Sequence, residues 1–193
     1  TGPMFYVYNI ILRRYPLETY KLFEEGSNTF PTTIFVLVSA VIKVTKCTRI
    51  PEGTLLYRGL GGLNLPEQFK NVDANGASGY ADWGFMSTSA SLDVALGYSG
   101  LKQRRPKALV MVIESMSVDK GADISMFSQY PGEKEFLWVP CSFVQRALGS
   151  GSRVEVVGGG LVTFVPVKVN LNLRMETVEE LKEKKKRSYV VSA

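Results

Sequence analysis

The sequence predicts an α+β domain in which helices come first and a largely antiparallel β-core follows. Three observations predict it. The first 50 residues carry helical patterns with clear stop signals, whereas residues 54–169 are broken by Gly, Pro and Asn into short apolar runs. Strand and helix patterns do not alternate, and neither GxGxxG nor a Walker loop is present, which argues against a Rossmann-type dinucleotide fold. Finally, 193 residues with 45% apolar content suit one domain that needs no disulfide or metal to fold.

The elements follow in order. Residues 4–14 read as a helix stopping near Pro16, residues 17–25 as a second helix ended by Gly26, and residues 31–48 as a longer one with Pro near its first turn. Pro51-Glu52-Gly53 is a turn, and residues 54–59 are a strand. Residues 60–81 are rich in Gly, Asn and Pro, with a turn of helix expected around 66–69. Residues 83–88 form a short strand, and Ser91 is placed to cap a helix over 92–98. Further strands are expected at 108–114, 122–127, 136–139, 153–157 and 161–169, with Gly158-Gly159-Gly160 turning the last two into a hairpin. Residues 176–193 are a charged helix or tail.

Composition excludes several chemistries. Histidine is absent, which removes Ser-His and Cys-His nucleophile systems, His-ligated zinc and imidazole acid-base catalysis. Cys47 and Cys141 are too few for a metal cluster and read as two buried thiols. No metal is expected. The net charge of +5 has visible sources in residues 102–107 and 182–187, which read as a solvated loop and a solvated terminal helix. The apolar run 34–44 is cut off by Lys43 and Lys46, too short to span a membrane. No signal peptide is visible, and Thr1-Gly2-Pro3 reads as a processing scar.

Three pieces carry chemistry. Tyr57-Arg58-Gly59 ends a strand with a planar cationic fork suited to phosphate, and the glycine permits close approach to the backbone. Gly84-Phe85-Met86-Ser87-Thr88-Ser89 places three hydroxyls after an aromatic strand. Tyr130-Pro131-Gly132-Glu133-Lys134-Glu135 leads into the apolar run at Phe136. Read as a strand, it turns Glu133 and Glu135 to one face, roughly 7 Å apart. Each alone has a bland reading: a surface ion-pair partner, a helix N-terminus, a solvated acidic pair. Together they provide a cation for phosphate, a hydroxyl to orient a carboxylate, and a carboxylate for a developing positive charge. That set suits a sugar phosphate with a departing base.

In this order, Tyr-Arg-Gly, Phe-x-Ser-Thr-Ser and Tyr-x-Gly-Glu-x-Glu resemble the motifs of the Arg-Ser-Glu mono-ADP-ribosyltransferases, which include clostridial binary-toxin enzymes and arginine-modifying ecto-enzymes. The resemblance covers about 54–169 plus the preceding helices. It implies an α+β fold with N-terminal helices on a mainly antiparallel two-sheet core, one catalytic domain over 1–193, NAD as co-substrate and an arginine of a protein target as acceptor. It further implies that Arg58 holds the NAD phosphates, Gly59 offers backbone groups to nicotinamide, and Ser87 orients the catalytic Glu135. Thr88 and Ser89 shape the NAD pocket, Glu133 engages the target guanidinium, Tyr130 takes part in target recognition, and Tyr98 sets a ring against nicotinamide.

With two cysteines instead of the four typical of vertebrate ecto-enzymes, the chain looks less like that branch. Nothing in it resembles a translocation or receptor domain. A monomer is expected. The alternatives are an NAD glycohydrolase, a nucleic-acid ADP-ribosyltransferase suited to the basic clusters, a catalytically dead NAD-binding module, and a glycoside hydrolase. Glu133 favours arginine, because relatives that modify bases or Asn commonly carry Gln there.

Overall fold

Two apolar faces of one strand demand two covers, and the β-core meets that demand by bending over itself while helices close its outer faces. A computed structural model describes residues 2–72, 78–102, 108–147, 149–171, 177–180 and 182–183. Helices α1 (Pro3–Arg13), α2 (Leu17–Glu25) and α3 (Pro31–Cys47) come first. They are followed by β1 (Leu55–Gly59), α4 (Glu67–Lys70), β2 (Gly79–Asp82), β3 (Met86–Ser89), α5 (Leu92–Tyr98), β4 (Ala108–Glu114), β5 (Ala122–Asp123), a 3-10 turn (Pro131–Glu133), β6 (Glu135–Trp138), β7 (Ser142–Arg146), β8 (Arg153–Val157) and β9 (Gly160–Asn170).

The strands run in the order β2-β7-β9-β4-β1-β3-β6-β5, with β8 on the flank of β9. Every described pairing is antiparallel except β4 with β9. All nine strands belong to one hydrogen-bonded sheet, and the expected two-layer core arises from its two halves, joined between β1 and β3 by the single pair Tyr57↔Ser89. Leu56, Met111, Ile113, Val165 and Val167 from one half and Met86, Phe136 and Trp138 from the other share one buried cluster. The opposite face of β4 and β9, with Val110, Val112, Val162 and Phe164, packs on Ala95 of α5. Helix α3 sets Val38 and Val41 against Phe85, Ala122 and Val139. Alternation along β4 (Val110 and Val112 one way, Met111 and Ile113 the other) thus serves two cores at once.

Several expectations need correction. Strands β2 and β7 pair with each other, and the sequence suggested a strand at neither. The strand expected over 122–127 stops at Asp123 and yields to a turn. Ser91 holds the N-cap position but makes no side-chain cap bond; Ser89 Oγ accepts the Ser91 N–H at 2.9 Å instead. The thiols are not both buried: Cys47 is exposed, Cys141 is half-buried and both are free. Residues 178–180 and 182–183 are helical, and Glu179 and Glu180 pair with Lys43 and Lys46 of α3 at 2.7 and 3.4 Å. Apart from Lys102 and residues 182–183, the two basic clusters lie outside the described residues. No helix among the described residues is long and apolar enough to cross a membrane.

Candidate active site

At the single-pair seam between the two sheet halves lies a cleft of about 430 Å³, lined from six elements. Strand β1 contributes Tyr57, Arg58 and Gly59, and β3 contributes Ser87, Thr88 and Ser89. The 3-10 turn and the first residue of β6 bring Glu133 and Glu135. Helix α5 supplies Val94, Ala95 and Tyr98, and α1 supplies Phe5 and Tyr6 together with its N-cap residue Gly2.

The β3–β6 ladder sets the central geometry. Ser89 lies opposite Glu135 and Ser87 opposite Leu137, so Ser87 and Glu135 are diagonal neighbours on one face. Ser87 Oγ donates to Glu135 Oε1 at 2.5 Å. Glu135 is only 4% exposed, and among the described residues it has no ion-pair partner. A buried carboxylate with one neutral donor is an uneconomical arrangement for stability alone.

Glu133 is not on the strand, and the same-face argument from strand geometry does not apply to it. It ends the 3-10 turn, and Lys134 follows with φ 46°, in the left-handed region. Its main chain is pinned by Ser89 Oγ, which donates to Glu133 O at 2.6 Å. Its side chain accepts a 3.0 Å hydrogen bond from the Tyr98 hydroxyl. Thr88 borders the cleft, but its hydroxyl serves the core: it donates to Phe136 O and accepts from Trp138 Nε1, both at 3.0 Å. Tyr130 is half exposed and does not line the cleft.

Gly59 has a reason that the sequence did not reveal. A Cβ there would stand 2.1 Å from Ala95 O and 2.6 Å from Ser99 N. The glycine lets α5 cross directly over β1, which sets Tyr98 at the wall of the cleft.

No family model matches the sequence, and no curated protein matches it. Solved structures do match. The ADP-ribosyltransferase Vis in complex with agmatine superposes with TM-score 0.56 at 18% identity, covering 90% of this chain and 72% of that one. The Clostridium limosum C3 exoenzyme gives TM-score 0.51 at 16% identity, over 88% of this chain and 86% of that one. The chain spans half the length of the ADP-ribosyltransferase HopU1 of Pseudomonas syringae, with 68% of this chain and 50% of that one aligned at 20% identity and TM-score 0.47. The chain has the ADP-ribosyltransferase fold.

In this ADP-ribosyltransferase-fold cleft, Arg58 is the electrostatic centre. Burial lowers its guanidinium from the ordinary value, nearby Asp82 opposes that shift, and Arg13 adds to it. The guanidinium makes one hydrogen bond, Nη1 to Ser87 O at 2.7 Å, so most of its donors have no acceptor among the described residues. Asp82 makes no hydrogen bond to Arg58; it is forked by Arg13 at 2.9 and 3.2 Å and accepts the Gly84 N–H at 3.1 Å. Tyr80 completes the group; burial first, then the Asp82 charge, pushes its phenol up to about 12. A desolvated cation with open donors is a fitting partner for an anionic ligand such as a pyrophosphate.

Sequence reasoning missed the α1 wall and the Arg13–Asp82 pair. The signal available was periodicity: Gly2, Phe5, Tyr6, Asn9 and Arg13 share one helical face. Phe5 and Tyr6 line the cleft, Arg13 reaches β2, and Asn9 is buried at 5% exposure with its amide unpaired among the described residues.

Proposed function

We propose that the chain is an NAD-dependent mono-ADP-ribosyltransferase that moves ADP-ribose from NAD to an arginine of a protein target and releases nicotinamide. One observation carries this reading. The cleft holds a buried carboxylate, Glu135, and a desolvated cation, Arg58, that do not pair with each other, and among the described residues each keeps bonding capacity open. An ion pair built for stability would join them. Kept apart, they suit a substrate with an anionic pyrophosphate and a ribose that turns cationic.

In this reading Arg58 binds the pyrophosphate and fixes the leaving geometry. The glycosidic C–N bond breaks, and its electron pair leaves with nicotinamide. Glu135, oriented by Ser87, stabilises the ribosyl cation in a largely water-excluded site. A guanidinium nitrogen then forms the new C–N bond and loses its proton to Glu133, the nearby carboxylate that also orients it. Gly59 and Tyr98 border the nicotinamide end, Ser89 holds the Glu133 main chain, and Tyr130 belongs to the target surface. No metal enters these steps.

Vis, a protein of this fold, is known in complex with the guanidine compound agmatine, which makes agmatine the natural probe. The chain, incubated with labelled NAD and agmatine, is expected to release nicotinamide and form ADP-ribosyl-agmatine. Release without adduct would favour a glycohydrolase or another acceptor, and no release would overturn the enzymatic reading.

A further inference from the structure

Glu133 is the cleft residue with the least support from regular structure, yet its side chain is held. Its main chain is fixed by Ser89 Oγ at 2.6 Å and by the turn whose Lys134 carbonyl accepts the Ala90 N–H at 3.2 Å. Its carboxylate is held at the far end by Tyr98, whose hydroxyl donates to Oε1 at 3.0 Å. Tyr98 in turn sits at the last position of α5, a helix pressed onto β1 by the missing side chain at Gly59. Its ring lines the same cleft as Arg58 and Glu135.

From this we propose that Tyr98, through its hydroxyl, is a positioning residue for the acceptor carboxylate Glu133 and so sets how tightly a guanidinium acceptor binds. The proposal rests on the transferase reading for its substrate class, but its geometry does not. A glutamate on a turn samples several rotamers, and a guanidinium fork recognises a carboxylate in one orientation. The Tyr98 hydroxyl donates to Oε1 and leaves Oε2 and the remaining lone pair of Oε1 for the incoming N–H groups. The bond lies at the mouth and is exposed when the cleft is open, and an acceptor that covers it shields it from water. Because the ring also borders the region assigned to nicotinamide, an acceptor-site carboxylate and a donor-site wall are joined in one side chain.

The test is Tyr98→Phe, which keeps the ring and removes the hydroxyl. Agmatine binding measured by calorimetry is expected to weaken about tenfold, the usual scale for a hydrogen bond to a charged group. In turnover, KM for agmatine is expected to rise by a similar factor relative to KM for NAD, with the partition between transfer and hydrolysis shifting towards hydrolysis. A loss of folding would move both KM values and the thermal midpoint together, so the split between the two substrates separates positioning from damage. Agmatine affinity unchanged within twofold would overturn the proposal, whether or not the chain turns over NAD. Weakened agmatine binding in a chain that never releases nicotinamide would count against the transferase reading and leave the role of Tyr98 standing.

Discussion

Ser87 and Glu135 face each other diagonally across the β3–β6 ladder, joined by a 2.5 Å hydrogen bond from Oγ to Oε1. The serine is the only described hydrogen-bond partner of a nearly inaccessible carboxylate, so the two act as one unit. Glu135→Ala is expected to abolish nicotinamide release and transfer alike, a loss of about 3–4 kcal/mol in the barrier. Ser87→Ala keeps the carboxylate but frees its rotamer, and is expected to lower both rates about tenfold to a hundredfold. Steady-state assays of folded variants check this; near-wild-type hydrolysis by Glu135→Ala would remove Glu135 from the mechanism.

Glu133 stands outside that unit, on a turn at the half-buried rim. Glu133→Gln is therefore expected to lose transfer to agmatine while retaining some NAD hydrolysis. Parallel measurement of nicotinamide and ADP-ribosyl-agmatine decides it, and an equal loss of both products would contradict separate roles for the two acids.

Gly59→Ala is a steric test of the α5 crossing. The new methyl meets backbone at 2.1 Å, and backbone cannot rotate away as a side chain can. A cost of about 3 kcal/mol is expected, read as a fall in Tm of about 10 °C by calorimetry. An unchanged midpoint would show that α5 shifts freely. The same substitution at Gly97, where nothing stands within 4 Å of the added atom, is expected to cause no steric clash and serves as the control.

Tyr80 gives a pH signature. Its phenol is raised from 10.0 to about 12 by burial and by the Asp82 charge. A raised value means that the folded chain keeps a proton the unfolded chain has lost, so the contribution is whole below pH 10 and disappears as pH climbs towards 12. Urea unfolding is expected to show stability falling through that window, and Tyr80→Phe to flatten the fall. Phenolate absorbance should show one tyrosine titrating late in the wild type and missing from the variant.

How much of this was legible in the sequence depended on what specifies each piece. Strands β1, β4, β8 and β9 carry apolar or β-branched runs between turn signals, and their positions could be read directly. Strands β2 and β7 could not, because Gly79-Tyr80-Ala81-Asp82 and Ser142-Phe143-Val144-Gln145-Arg146 are short and weakly patterned, and they exist by pairing with each other and, for β7, with β9. Arg58, Ser87 and Glu135 were legible because three short motifs fix them on strands. Glu133 was misplaced because Pro131 and Gly132 open a 3-10 turn where alternation suggested a strand. The α1 wall carries no motif; helical periodicity groups Phe5 and Tyr6 on one face, and only long-range packing turns that face to the cleft.

One backbone pairing, Tyr57 with Ser89, holds the two sheet halves together where the cleft opens. Arg58 is on one side of it, and Ser87 with Glu135 on the other. A dinucleotide engaging both sides would act as a second rivet across the joint. Amide hydrogen exchange should then slow on ligand addition chiefly at the ends of β1 and β3, while the cores beneath, already closed, report little change.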